Sequence, residues 1–398
     1  MENIYKYTCI FGGGAIRGMS YIGAVKALED LGIYSETIAG SSVGAIIAGM
    51  YALGYNSQEM QEVFLKVKFD LFRDIHFGFG KTFALSKGEV FLDWLREIIE
   101  KKYYGENYQK SKNPSVKFKD LDKELVIITT DLTNFTCKEF SKKSTPDFEV
   151  ATAIRISSTM PGLMTSVEYE GMELVDGDLQ KSWPLWKLSK NLSDVSERIL
   201  EFRLEGSYDK NSKSPIDYLN TVYSCVTSIA TKSVVNMYDE CDKYDYVTIN
   251  TGDVIIVDFN MPIEKRNELI DIGYNQTIQK FKKFLPSKKE KLIKHYKVME
   301  KGVSDVVKAL GKKDVVTAKS CLGQIYMDIC DCKNYIDERF YKNLQNAKFR
   351  FLNELKPTLF RYYPSGKVNA IKEDFIQLDA LLKERIKELR DYNLKIGA

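Results

Sequence analysis

The stretch Ile38-Ala-Gly-Ser-Ser-Val-Gly-Ala-Ile-Ile-Ala-Gly-Met-Tyr-Ala-Leu-Gly54 constrains this chain most, reading as a short apolar strand, an abrupt turn and a helix without one charged residue. Within it, Gly40-Ser41-Ser42-Val43-Gly44 fits G-x-S-x-G, the pattern of a nucleophile elbow. In such an elbow a strained strand-to-helix turn lifts the serine oxygen above the sheet edge. The flanking glycines let neighbouring backbone pass without a Cβ clash, and the next helix turns its positive end to the oxygen. Ser42 is the expected nucleophile, with Gly40 and Gly44 as its support. The uncharged run from Thr37 to Gln58 is long enough to suggest a membrane span. Its glycines, serines and Asn56 make a buried helix beneath a catalytic turn the better reading.

Two further segments bear on the same chemistry. Tyr5 to Phe11 is rich in β-formers and ends in Gly12-Gly-Gly14, and the turn Gly12-Gly-Gly-Ala-Ile-Arg-Gly18 then opens a helix with Ile22, Val25, Leu28 and Leu31 on one face. Successive glycines in such a turn expose a row of backbone N–H groups, a nest for negative charge. Either a nucleotide phosphate or the oxyanion of an acyl transfer could occupy it. The dinucleotide pattern fails because Arg17 stands where its last glycine belongs, and no G-K-[ST] follows for a P-loop. The second segment is an apolar pair of short strands, Val167–Tyr169 and Met172–Val175, leading into Asp176-Gly177-Asp178.

Histidine is nearly absent, with only His76 and His295 in 398 residues. His295 follows the cationic run Lys288-Lys-Glu-Lys-Leu-Ile-Lys294, a poor setting for a neutral base. A Ser42 nucleophile therefore points to a carboxylate base, and Asp176 is the candidate.

These motifs resemble the patatin-like phospholipases, lipid acyl hydrolases with a Ser–Asp dyad. That family runs strand, G-G-G-x-[KR]-G, helix, G-x-S-x-G and, much later, D-G-[GA]. Gly13-Gly-Ala-Ile-Arg-Gly18, Gly40–Gly44 and Asp176-Gly-Asp178 match in order. Tyr21–Leu28, Ser157-Ser-Thr-Met-Pro-Gly162 and Asp271-Ile-Gly-Tyr274 are similar to supporting stretches, so the resemblance spans about residues 5–284. It implies Ser42 as nucleophile, Asp176 as base and the N–H groups of Gly13, Gly14 and Ala15 as oxyanion hole. Arg17, with Gly18 and Gly177, would support these loops. Ala15 departs from a usual glycine, where a positive φ is costly. Asp178 departs from Gly or Ala and brings a second carboxylate near Asp176, which raises one of the two pKa values.

The rest of the chain fills in the architecture. Asn56-Ser57 caps a helix to about Lys66, Ser86-Lys-Gly-Glu89 reads as a capping box, and Leu125–Thr130 is a strand buried on both faces. Lys68 to Leu85 is aromatic and basic without a period, the texture of a lid or of a loop folded onto the core. Glu149–Ser157 reads as helix, Ile199–Leu204, Asp245–Asn250 and Val254–Phe259 as strands, and Ser214-Pro opens a helix to about Met237. Leu285-Pro-Ser-Lys288 breaks a helix begun at Glu264, and everything beyond reads as helix. From Ser287 onward 24 Lys and Arg face 15 Asp and Glu, a surplus of +9 against −6 for the rest.

The expectation is a three-layer, patatin-like α/β/α sandwich over residues 1–284, followed by a basic helical region, 285–398, for docking, oligomerisation or regulation. The function expected is phospholipase A- or lysophospholipase-like cleavage of glycerolipid esters through a Ser42 acyl-enzyme. The alternative is a catalytically inactive protein that binds lipid or a partner. No cofactor, metal or nucleic acid is expected; the partner is membrane phospholipid or another acyl lipid, met peripherally. Seven Cys without regular spacing and a polar N-terminus suggest a reducing, cytoplasmic setting.

Overall fold

A computed structural model describes residues 6–67, 84–180, 197–206, 218, 221–229, 244–254, 260–332, 338–355 and 363–391. The first strand, β1 (Lys6–Phe11), leads through a 3-10 turn (Ala15–Gly18) into helix α1 (Met19–Asp30). Strand β2 (Thr37–Gly40) then runs into α2 (Val43–Ala52), and α3 (Ser57–Lys66) follows. Asn56 caps α3 through the reciprocal bonds of a capping box with Glu59. Next come β3 (Ala84–Ser86), α4 (Glu89–Tyr104), β4 (Glu124–Asp131), β5 (Thr136–Ser141) and α5 (Val150–Ser157). The short strands β6 (Gly162–Met164), β7 (Val167–Tyr169) and β8 (Met172–Asp176) precede β9 (Glu197–Glu205) and β10 (Tyr244–Asn250). Among the described residues four helices follow: α6 (Ile263–Gly311), α7 (Val315–Cys332), α8 (Glu338–Glu354) and α9 (Ser365–Asp391).

Eight strands form one mixed sheet in the order β10-β9-β1-β2-β4-β8-β7, with β5 added to β4, while β3 and β6 pair in parallel as a separate two-stranded sheet. β1 pairs in parallel with both β9 and β2, and β2 with β4, so the central strands end at one common edge. β8 runs antiparallel to β4, with Asp176 opposite Thr129. Since Gly40 lies opposite Ile127, β2 stops two residues short of Thr129, and the space past its end belongs to the elbow. Parallel central strands covered on their faces carry apolar residues throughout, and β4 is buried along all but its first residue.

Two large hydrophobic cores divide the described residues, beside a small third cluster of Ile10, Ala39, Val126, Ile128, Ile199 and Tyr244 on the alternate positions of the sheet strands. The first gathers the sheet, α1 to α5 and the first half of α6 as far as Phe281. The second runs from Leu292 through α7, α8 and α9. Helix α6 serves both. The break expected at Leu285–Lys288 is absent, and the helix passes through Pro286 unbroken. A proline removes one i→i−4 bond, and a helix continues across it when both flanks are anchored, here in separate cores. Toward its start α6 crosses α1 closely. A Cβ on Gly273 would stand 1.8 Å from the Ser20 carbonyl oxygen, which explains the glycine in Asp271-Ile-Gly-Tyr274.

Other differences are local. Helix α4 has Gly88 as its N-cap residue at φ 72°, and Ser86, in β3, accepts the Gly88 N–H on its Oγ at 3.0 Å. Strand β5 has no counterpart in the sequence reading, because its half-exposed, polar residues lack a strand's alternation. The texture noted over Lys68–Leu85 and the strand expected at Val254–Phe259 fall largely outside the described residues.

Candidate active site

Ser42 sits between β2 and α2 with φ 53° and ψ −131°, a conformation that L-residues avoid. Such strain is of order 1–3 kcal/mol and persists only where the surroundings over-determine it. Here the surroundings leave no freedom. A Cβ on Gly44 would lie 2.0 Å from the Phe11 carbonyl oxygen, and one on Gly40 would lie 2.3 Å from that of Gly44. The Ser42 N–H donates to both the carbonyl and the hydroxyl oxygen of Ser157 at 3.1 Å, and Ser158 Oγ donates to the Ser42 carbonyl at 3.2 Å. The serine-rich end of α5 thus clamps the nucleophile's backbone.

Ser42 is the N-cap residue of α2, yet its side chain caps nothing in the helix. Its Oγ donates instead to Asp176 Oδ2 at 2.7 Å. Asp176 is fully buried at the end of β8. Its N–H donates to the Thr159 carbonyl at 2.9 Å, and Thr130 Oγ1 donates to its carbonyl at 2.8 Å. Gly177, directly after it, packs against the Ile128 carbonyl.

Asp178 joins the three motifs. Its N–H donates to Asp176 Oδ1 at 2.9 Å, and its own Oδ1 accepts from Gly13 N–H at 2.8 Å and from Ser41 Oγ at 2.6 Å. The glycine turn, the elbow and the acid are tied by one carboxylate. This differs from the sequence reading, which counted Gly13 among the oxyanion donors: its N–H is already committed to Asp178. The N–H groups of Gly14 and Ala15 have no hydrogen-bond partner among the described residues. Ala15 adopts φ 48°, the left-handed conformation expected to be costly for it. Arg17 is buried; its Nε donates to the Val254 carbonyl at 2.8 Å, pinning the turn to the segment after β10. Gly18 caps α1 beside Val43.

Burial and the neighbouring Asp178 carboxylate push the Asp176 carboxyl up to about 7, against the hydrogen bonds from Asp178 N–H, Ser42 and Tyr223. Tyr223 is a residue that no motif in the sequence marks. It lies in the helical residues 221–229, and its hydroxyl donates to Asp176 and also meets Ser42. Burial and the two carboxylates hold its own ionisation well above the usual tyrosine range, so it stays a donor. His295 lies in α6, between the second-core residues Leu292 and Tyr296, and His76 falls outside the described residues. No metal-ligand cluster and no helix long and apolar enough to cross a membrane occur among the described residues.

The patatin-like phospholipase model matches residues 9–186, a span that contains the glycine turn, the elbow and Asp176-Gly-Asp178. An uncharacterized protein of Acanthamoeba polyphaga mimivirus, R571, is 26% identical over 286 residues, covering 69% of this chain and 93% of that one. The lysophospholipase NTE1 of Debaryomyces hansenii is 26% identical over 190 residues, covering 46% of this chain and 11% of its own. Among solved structures, VipD from Legionella pneumophila aligns with a TM-score of 0.46 at 14% identity, covering 96% of this chain and 88% of that one. Residues 9–186, where a strained serine meets a buried aspartate, are thus similar to the patatin-like phospholipases.

Proposed function

We propose that the protein is a lipid acyl hydrolase that cleaves glycerolipid esters through a covalent Ser42 acyl-enzyme. The 2.7 Å contact between Ser42 Oγ and Asp176 Oδ2 carries this reading, because it joins a nucleophile to a base with no histidine in between. Ser42 Oγ attacks the ester carbonyl carbon while its proton passes to Asp176 Oδ2. The oxyanion forms against the N–H groups of Gly14 and Ala15, and Asp178 holds their loop in place through Gly13. When the tetrahedral species collapses, the C–O bond to the alcohol breaks and Asp176 returns the proton to the leaving oxygen. Water then attacks the acyl carbon and gives a proton to Asp176; as the bond from that carbon to Ser42 Oγ breaks, Asp176 returns the proton to Oγ and the fatty acid leaves. A carboxyl poised near 7 suits both proton transfers. The lipid class is supported by the family match and by the relatives named as lysophospholipases.

Release of fatty acid from phosphatidylcholine and lysophosphatidylcholine tests this. Wild type should release it, and both Ser42→Ala and Asp176→Asn should fall by at least three orders of magnitude. Turnover that survives Ser42→Ala would sink the proposal.

A further inference from the structure

The helical residues 221–229 are amphipathic the wrong way round for a helix folded onto a globular core. Their buried positions are polar, Ser224 and Thr227, and Tyr223 reaches Asp176 from the same helix. Beside the exposed Thr221 and Cys225, their outward positions are apolar. Val222 and Val226 are 43% and 42% exposed, Ile229 is 61% exposed, and Tyr218, helical one turn earlier, is 64% exposed. These four residues recur at helical spacing and form one stripe. Single exposed apolar side chains are ordinary, but a stripe on a helix whose inner face is polar is not. No residue from 221 to 229 carries a charge, whereas a helix facing water, or a partner reached through ion pairs, displays charges outward.

We infer that this helix docks on a lipid surface, its apolar stripe entering the interface while Tyr223 stays on the dyad beneath. The inference rests on the acyl hydrolase reading for its occupant. The dyad directly under the helix acts on acyl esters, so the surface that carries the substrate is the one that meets the stripe. An uncharged apolar face enters a headgroup boundary without the penalty that Lys, Glu or Asp would bring. Phe135, 81% exposed, lies on the turn between β4 and β5, past the end of β4.

The test uses the full chain, zwitterionic phosphatidylcholine vesicles and a soluble monomeric ester, p-nitrophenyl butyrate. Val222→Glu/Val226→Glu should weaken flotation with vesicles about tenfold or more and slow hydrolysis of the vesicle lipid equally. Its rate on the soluble ester should stay within about twofold of wild type, and Val222→Leu/Val226→Leu should keep vesicle binding. Unchanged flotation overturns the inference, as does an equal loss on both substrates. So does a wild-type dimer in sedimentation that the Glu variant splits, since the stripe would then face a second copy. If wild type floats through the stripe yet cleaves neither substrate, the docking holds and the hydrolase reading fails.

Discussion

The main-chain N–H of Asp178 donates to Asp176 Oδ1 at 2.9 Å, while the Asp178 carboxylate turns away to Gly13 and Ser41. The second carboxylate, a departure from the family pattern, is thus a clip between loops as well as a negative neighbour. It fixes the glycine turn against the elbow and at the same time lifts the proton affinity of Asp176.

The first consequence is a pH dependence. Asp176 must be ionised to accept the Ser42 proton, and its carboxyl is pushed up to about 7. Initial rates on a soluble ester should therefore rise about tenfold per pH unit below that point and level off above it. Asp178→Asn removes the negative neighbour and should move the inflection to lower pH. A flat wild-type profile between about pH 5 and 9 would show that another group is the base.

Stability should move the opposite way. The folded state favours the protonated form of Asp176, so its contribution is fully present below the ordinary aspartate value of about 3.9 and lost as pH rises through the raised one. Asp176→Asn escapes this loss. In thermal scans its Tm should exceed that of wild type by a few degrees more at about pH 8 than at about pH 5. An equal difference at both would contradict the raised value.

Tyr223→Phe deletes a donor to the Asp176 carboxylate. The carboxyl should then hold its proton more tightly, shifting the pH profile upward and lowering the rate near neutral pH by about tenfold, with partial recovery at higher pH. A rate loss with an unmoved profile would make Tyr223 merely structural.

Gly44→Ala should cost about 3 kcal/mol or more of stability, because its Cβ would meet the Phe11 carbonyl oxygen at 2.0 Å. Chemical denaturation measures it, and a variant as stable as wild type would mean that the elbow relaxes freely.

Much of this was legible in the residues, for physical reasons. Gly40, Ser42 and Gly44 announce a turn that few residue types can make, and the near absence of histidine turns attention to Asp176. Strands such as β4 show themselves because burial on both faces demands a continuous apolar run. What the sequence hides depends on long-range pairing. The commitment of the Gly13 N–H to Asp178 joins residues far apart in the chain, and nothing in the spacing of Gly13 reveals it. Tyr223 is one of 24 tyrosines, without a motif around it. Pro286 reads as a breaker, and only the two cores flanking it explain why α6 continues.

The central claim is that Ser42 is a nucleophile activated by Asp176, and covalent labelling reads it most directly. After treatment with a fluorophosphonate, intact-mass and peptide analysis should place one adduct on Ser42 of the wild type. Folded Ser42→Ala should carry none, and Asp176→Asn should react far more slowly. A folded wild type that remains unlabelled, or an adduct that persists in Ser42→Ala, would contradict the account.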